Sequence, residues 1–125
     1  PKDDSPFTRR QVYSNNKTYF IIATAEDTYE KIAEEVQLNV DKIRKYNDLS
    51  SSKKHPEAGE VVFIETKGKA NSTDSEHVVV AGETLQYIAQ KHGVQLYYIL
   101  KFNNLSEDSV ITTGDKINLY MKKSK

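Results

Sequence analysis

The stretch that decides the fold is "HVVVAGETLQYIAQKHGV", residues 77–94. Its opening, His77 to Val80, is rich in β-branched residues and reads as a strand. Its second half sets Leu85, Ile88 and Ala89 at helical spacing behind Thr84, a residue type that caps helices by accepting an orphan backbone N–H. Gly93 stops the pattern as a left-handed cap, and His92 sits where an imidazole can meet the helix C-terminus. Only Ala81-Gly82-Glu83 lies between the two halves. So short a junction folds the helix straight back over the strand. A small unit needs this, because its interior is little more than one apolar stripe.

"IIATAEDTYEKIAEEVQL", residues 21–38, is a divergent copy of that stretch. At a shift of 56 positions, Asp27 falls on Glu83, Thr28 on Thr84, Tyr29 on Leu85, Ile32 on Ile88 and Ala33 on Ala89. The match runs on through Leu38 and Val94, Ile43 and Ile99, Tyr46 and Phe102, Asn47 and Asn103, Leu49 and Leu105. After one extra residue in the first copy, Gly59 meets Gly114, Val62 meets Ile117 and Ile64 meets Leu119. Self-similarity of this kind marks a repeated structural unit, here a tandem pair.

Each copy reads as strand (Tyr19–Thr24; His77–Val80), helix, second helix (Val40–Asn47; Leu96–Asn103), polar loop and closing strand, "GEVVFIE" or "GDKINLY". The second helices end in "YNDL" and "FNNL", with an Asn that tolerates the left-handed backbone of a helix end. The expected fold class is α+β: two tandem βααβ units, each a two-stranded antiparallel sheet with two helices on one face. The expected organisation is a tail or the end of a preceding domain over 1–18, a divergent unit over 19–66, a polar linker over 67–76, a second unit over 77–121 and a tail over 122–125. Phe7, Val12 and Tyr13 suggest that part of the first segment packs on something.

Composition limits the chemistry. With 18 Lys and Arg against 18 Asp and Glu, the net charge is zero, and nothing draws the chain as a whole to nucleic acid or an anionic membrane. No apolar run approaches the ~20 residues of a membrane span, and "PKDDSPFTRR" is not a signal peptide. The first residue is Pro rather than Met, so a piece of a longer protein is expected. There is no Cys, hence no disulfide and no thiolate ligand or nucleophile. His55, His77 and His92 stand in no metal-ligand spacing. No pair of acids recurs in a cleft-like setting of the kind glycosidases use. No catalytic residue, metal or cofactor is expected.

The second copy, from His77 to Leu119, resembles the LysM domain. Its pattern is an opening His, Gly-Glu-Thr-Leu (82–85), Ile88-Ala89, Gly93-Val94, Asn104-Leu105 and Gly114-Asp115. The first copy keeps Asp27-Thr28, Ile32-Ala33, "KYNDL" and Gly59, but has Glu26, Tyr29 and Gln37 where the pattern has Gly, Leu and Gly. The resemblance implies a non-catalytic module that binds N-acetylglucosamine-containing glycan, peptidoglycan or chitin. It also implies a monomer fused to a glucosaminidase or amidase domain and anchoring it at a bacterial cell envelope, in the periplasm or outside the cell. The absence of the CxC motifs usual in plant members favours a bacterial source.

The resemblance places the glycan groove between two loops. In the second copy these are Ala81, Gly82, Glu83 and Thr84, extended by Gln86 and Tyr87, and Asp108, Ser109, Val110 and Ile111. In the first copy they are Ala25, Glu26, Asp27 and Thr28, and Lys54, His55 and Pro56, with Glu26 expected to weaken, alter or close the groove. Neutral hydrogen bonds are worth about 0.5–1.5 kcal/mol each, so one shallow groove binds weakly and a tethered pair gains avidity. Structural readings stand beside these. Thr28 and Thr84 are caps first, and Asp27 and Glu83 complement a helix dipole. Tyr29, Leu85, Tyr46 and Phe102 are core, Asn47 and Asn103 end helices, and Glu26-Asp27 and Glu34-Glu35 are solvated faces. Tyr87, Tyr97 and Tyr98 fall on the surface and support the competing reading, a protein-interaction or self-association module.

Overall fold

The computed structural model describes residues 8–122, which divide into two compact units between Thr66 and Lys67. Phe7 lies outside the described residues.

In unit 1, β1 (Tyr13–Asn15), β2 (Thr18–Ile22) and β3 (Val61–Phe63) form an antiparallel sheet in that order, with Tyr13 opposite Phe20 and Ile21 opposite Val62. The expected two-stranded sheet thus carries an additional edge strand. Asn16 and Lys17 join β1 to β2 with φ of 52° and 65°, as a two-residue hairpin of matching twist requires. Two short helices, α1 (Tyr29–Glu35) and α2 (Val40–Tyr46), pack on the sheet. Val12, Ile21, Tyr29, Ile32, Ile43 and Val62 are core residues. The segment from Thr8 to Asn15, read as part of a tail or of the end of a preceding domain, joins this unit through Val12 and β1.

Unit 2 repeats the plan with β4 (Glu76–Val78), α3 (Leu85–His92), α4 (Leu96–Asn103) and β5 (Lys116–Asn118) around Val79, Leu85, Ile88, Val94, Ile99 and Leu119. His77 pairs with Ile117 across the two strands. Thr28 Oγ1 accepts from the Lys31 N–H and Thr84 Oγ1 from the Tyr87 N–H, the caps that the sequence predicts.

Composition reads 67–76 as a linker, but residues 67–71 are built into unit 2. The Gly68 N–H donates to Gly93 O at 2.9 Å, and Gly68 O accepts from the Gln95 N–H at 2.9 Å. Asn71 donates from its backbone to Leu119 O and from Nδ2 to His92 O. Lys67, 2% exposed, donates to Gln90 Oε1. Gly68 and the Asn71 amide thus satisfy the Gly93 and His92 carbonyls that the end of α3 leaves orphaned, which side-chain polarity alone does not announce.

Asn47 and Asn103 do more than end helices. Each donates from Nδ2 to the carbonyl four residues back, Ile43 O or Ile99 O. Each also exchanges two hydrogen bonds with the backbone of the closing strand, at Phe63 or Asn118. A side-chain amide thus pairs with a strand as another strand would. The left-handed residue is the next one, Asp48 with φ 53° and Asn104 with φ 56°.

Candidate functional site

Four turns among the described residues share one construction: 24–27, 57–60, 80–83 and 112–115. In each, the last residue's N–H donates to the first residue's carbonyl, at 3.2, 3.0, 3.2 and 3.0 Å in that order. Each last residue is an acid, Asp27, Glu60, Glu83 or Asp115, whose carboxylate folds back to accept the first residue's N–H at 2.7–2.9 Å. The acids are therefore staples of turns, a role beyond the helix dipole. The third position is Gly59, Gly82 or Gly114, with φ of 88°, 86° and 94°. A positive φ there defines a type II turn, which glycine adopts at no steric cost. Glu26 holds the same place in the remaining turn and keeps a negative φ. Its central peptide, Ala25–Glu26, is flipped relative to Ala81–Gly82, as a type I turn is relative to type II.

Backbone pairing brings these turns together two by two. Val79 donates to Asp115 O at 2.8 Å and accepts from the Gly114 N–H at 2.9 Å; Ala23 does the same with Glu60 and Gly59 at 2.9 and 2.8 Å. The first loop of each unit therefore stands beside the glycine turn that closes its second loop.

In unit 2 the backbone of the first loop is open to solvent. Ala81, Gly82 and Thr84 are exposed, and a Cβ on Gly82 would meet no atom within 4 Å. Tyr87 is exposed and Gln86 half-buried. In the second loop Ser109 Oγ accepts from the Ser106 N–H at 2.9 Å, Asp108 is exposed, Ile111 packs on the core and Val110 is 85% exposed.

In unit 1 Ala25 and Glu26 are exposed, Thr28 is half-buried, Lys54 and His55 are exposed and Pro56 is buried. Asp27 and Glu35, assigned above to solvated faces, are instead paired. Arg10 donates to both oxygens of Asp27, at 2.7 and 2.6 Å, and to Glu35 at 2.9–3.1 Å; Thr8 also donates to Glu35. The Arg10 hydrogen bonds hold the Asp27 carboxyl down to about 2. A cleft of about 630 Å³ opens on the β1 side of this loop, with Arg10, Tyr13, Ile22 and Lys31 among its walls.

Glu83 has a different partner. His77 Nε2 lies 2.8 Å from Glu83 Oε1, and His77 Nδ1 lies 2.9 Å from His92 Nε2. The hydrogen bond from His77 lowers the Glu83 carboxyl. Burial above all, then His77, lowers the His92 imidazole. Sequence reading missed both Arg10 and the paired histidines as partners of the turn acids. The only signal for the pair was a His at an inward strand position that Ile21 fills in the first copy.

Of the surface tyrosines, Tyr87 and Tyr97 are 47% and 59% exposed. Tyr98 is half-buried, edge-on to Tyr97 at 5.0 Å and beside Phe102 at 6.3 Å.

Residues 22–65 and 77–119 match the LysM domain. The "Membrane-bound lytic murein transglycosylase D" of Escherichia coli K12, and likewise that of strain O6:H1, is 27% identical over 111 residues, 86% of this chain and 24% of the relative. The chain thus spans about a quarter of the length of these curated relatives. Among solved structures, the spore cortex-lytic enzyme SleL of Bacillus cereus is 24% identical with a TM-score of 0.35, covering 83% of this chain and 23% of that one. SleL of Bacillus megaterium QM B1551 gives the same identity and score. LysM domains are typically non-catalytic, peptidoglycan-binding modules of cell-wall lytic enzymes. With both of its repeats matched, the chain belongs to the LysM family, as a tandem pair of such domains.

Proposed function

We propose that this chain is a non-catalytic glycan-binding pair that holds an attached cell-wall hydrolase on peptidoglycan at a bacterial cell envelope, with unit 2 the stronger binder. The observation that carries the reading is the open backbone of the 80–83 turn. A neutral N-acetyl sugar offers hydroxyls, an amide and small apolar faces. Exposed amides at Ala81 and Gly82 suit the polar groups, and Val110 offers an apolar wall for the acetyl methyl. Gly82, Glu83, Thr84, Gln86, Tyr87 and Asp108–Ile111 form the proposed contact set. Peptidoglycan is favoured over chitin because the curated relatives are named for murein. In unit 1 the flipped peptide at Glu26 presents different groups, so Ala25–Thr28 with His55 and Pro56 bind more weakly.

Titration with N-acetylglucosamine oligomers, followed by amide NMR, tests this, alongside pull-down on purified peptidoglycan. Shifts are expected to concentrate at Gly82–Tyr87 and Asp108–Ile111, and to be lost in Gly82→Glu, which imposes the unit 1 turn. No saturable shift in either unit would overturn the reading. The protein-docking alternative draws on the Tyr97–Tyr98–Phe102 cluster, flanked by Lys101 over Tyr97 and Lys69 over Tyr98. Shifts confined to Tyr97 and Tyr98 would move the contact there.

A further inference from the structure

We infer that His92 is a positioning residue for the 80–83 turn, acting through His77 on Glu83, and that it holds the turn only as a neutral imidazole. The functional consequence rests on the glycan reading above; the structural half does not.

The hydrogen-bond chain fixes its own protons. Glu83 Oε1 already accepts the Val80 N–H at 2.8 Å, so His77 Nε2, 2.8 Å from the same oxygen, carries the hydrogen. Neutral His77 then offers a lone pair at Nδ1, and His92 Nε2 at 2.9 Å must donate to it. The position left for a further proton is His92 Nδ1, a buried nitrogen without a hydrogen bond, 3.5 Å from Asp74 Oδ2. The groups around that ring are His77 on β4, Lys91 beside it on α3 and Asp74 in the preceding segment, with Glu83 one step away on the far nitrogen of His77. Asp74 favours a charge on His92; Lys91, His77 and the burial of a residue 7% exposed oppose it more strongly, which agrees with its lowered pKa. By linkage, a group that resists protonation in the native arrangement weakens that arrangement when it is protonated. The cation keeps its Nε2–H, so the contact with His77 is lost only if the ring swings out of its buried place toward Asp74 and water, and the cost of burying the charge drives that movement. Glu83 then loses a fixed partner, and Glu83 staples the turn that carries Gly82. Unit 1 has Ile21 and Val36 at the two histidine positions and no such chain.

The test follows imidazole ¹⁵N and backbone amide shifts of the full chain from about pH 8 to about pH 5, the range in which histidines titrate. Val80 and Gly82 amides are expected to move with the His92 midpoint, and tautomer-sensitive shifts should report Nε2–H on both rings at the upper end. His92→Gln keeps a donor toward His77 and cannot titrate, so the transition at Val80 and Gly82 should vanish while their shifts at high pH stay close to wild type. Asp74→Asn lies at an exposed site and leaves folding undisturbed. It should lower the His92 midpoint and carry the Val80 and Gly82 midpoints down with it, which decides the matter if His92→Gln does not fold. Amides of the turn that ignore His92, or that follow only a carboxylate midpoint, overturn the proposal. With N-acetylglucosamine oligomer added, acidification should weaken binding several-fold in wild type and leave His92→Gln flat. Absence of sugar binding at every pH would sink the glycan reading while the loop result stands.

Discussion

The two units share a scaffold and differ in what secures the first turn. In unit 2 everything that fixes Glu83 comes from within the βααβ plan, His77 from β4 and His92 from the end of α3. In unit 1 the equivalent positions are aliphatic, and Asp27 is held by Arg10, from a segment that precedes the plan. The two solutions have different chemistry. An Arg stays charged at any pH a protein meets and makes a bidentate, directional pair. A neutral His chain is switchable. A divergent repeat has thus kept the staple and exchanged the partner.

The largest expected effect tests what the units have in common. Asn47→Ala takes the Asn47 amide away from the Phe63 N–H and C=O, in a residue with no exposed surface, and removes one helix-end bond. The loss should be about 3 kcal/mol, because buried groups pay the desolvation of an unmade bond. Asn103→Ala should cost about half of that, since Asn118 is half-buried and water can replace its partner. Denaturant unfolding read by a probe in each unit distinguishes them; equal losses would show that exposure of the strand does not set the difference.

Next comes the partner of the turn acid. Arg10→Met leaves Asp27 and Glu35 facing each other without a cation and should destabilise unit 1 by about 1–2 kcal/mol, allowing for solvent screening around the partly exposed Arg10. Because the Asp27 carboxyl is lowered to about 2 from 3.8, the stabilisation is complete above about pH 4 and is lost as pH falls toward 2. Arg10→Met should flatten that acid limb. Unit 2 should respond earlier. The His92 imidazole is lowered from 6.5, so stability is complete above that value and declines as pH drops below it. Hydrogen exchange between about pH 7 and pH 5, corrected for the intrinsic rate, should show protection falling in α3 and β4 while α1 and β2 hold. A parallel decline in both units would erase the proposed distinction.

Much of this architecture was legible. The 56-residue shift, Thr28 and Thr84 as caps and Gly93 as a left-handed stop gave the order of elements, because apolar spacing and cap chemistry are local. What stayed hidden is non-local or carried by polar atoms. β1 has no inward apolar residue and turns through Asn16-Lys17 rather than Asn-Gly, so it lacks a hairpin signature. Residues 67–71 look like a linker because their work is done by backbone groups, an Asn amide and a buried Lys ammonium. For the candidate site, glycines at 59, 82 and 114 marked turns, but Arg10 lies 17 positions from Asp27 and His92 lies 15 from His77, with nothing periodic to join them.

Turn geometry offers a smaller lever on the same comparison. Glu26→Gly frees the third position to take positive φ, so the Ala25–Gly peptide can flip to the unit 2 orientation. If that orientation matters, unit 1 should bind N-acetylglucosamine oligomer more tightly by the worth of about one hydrogen bond, roughly 3- to 10-fold. Unchanged affinity with a flipped turn would assign the weakness of unit 1 to its second loop.

The smallest effect concerns the end of α1. Gln37 corresponds to Gly93 and adopts the same left-handed backbone, φ 59° against 67°, even though Gln carries a Cβ. The geometry is imposed from outside, since the Leu38 N–H donates to Ala33 O just as the Val94 N–H donates to Ala89 O. Left-handed backbone costs a non-glycine residue about 1 kcal/mol, and the exposed Gln37 side chain packs on little that would offset it. Gln37→Gly should therefore stabilise unit 1 by about 0.5–1 kcal/mol, less whatever entropy the more flexible unfolded chain gains. Thermal unfolding of the variant is the measurement. A neutral result would mean that the unfolded-state entropy cancels the relief, and a loss would show that the Gln37 side chain contributes to packing that its exposure does not reveal.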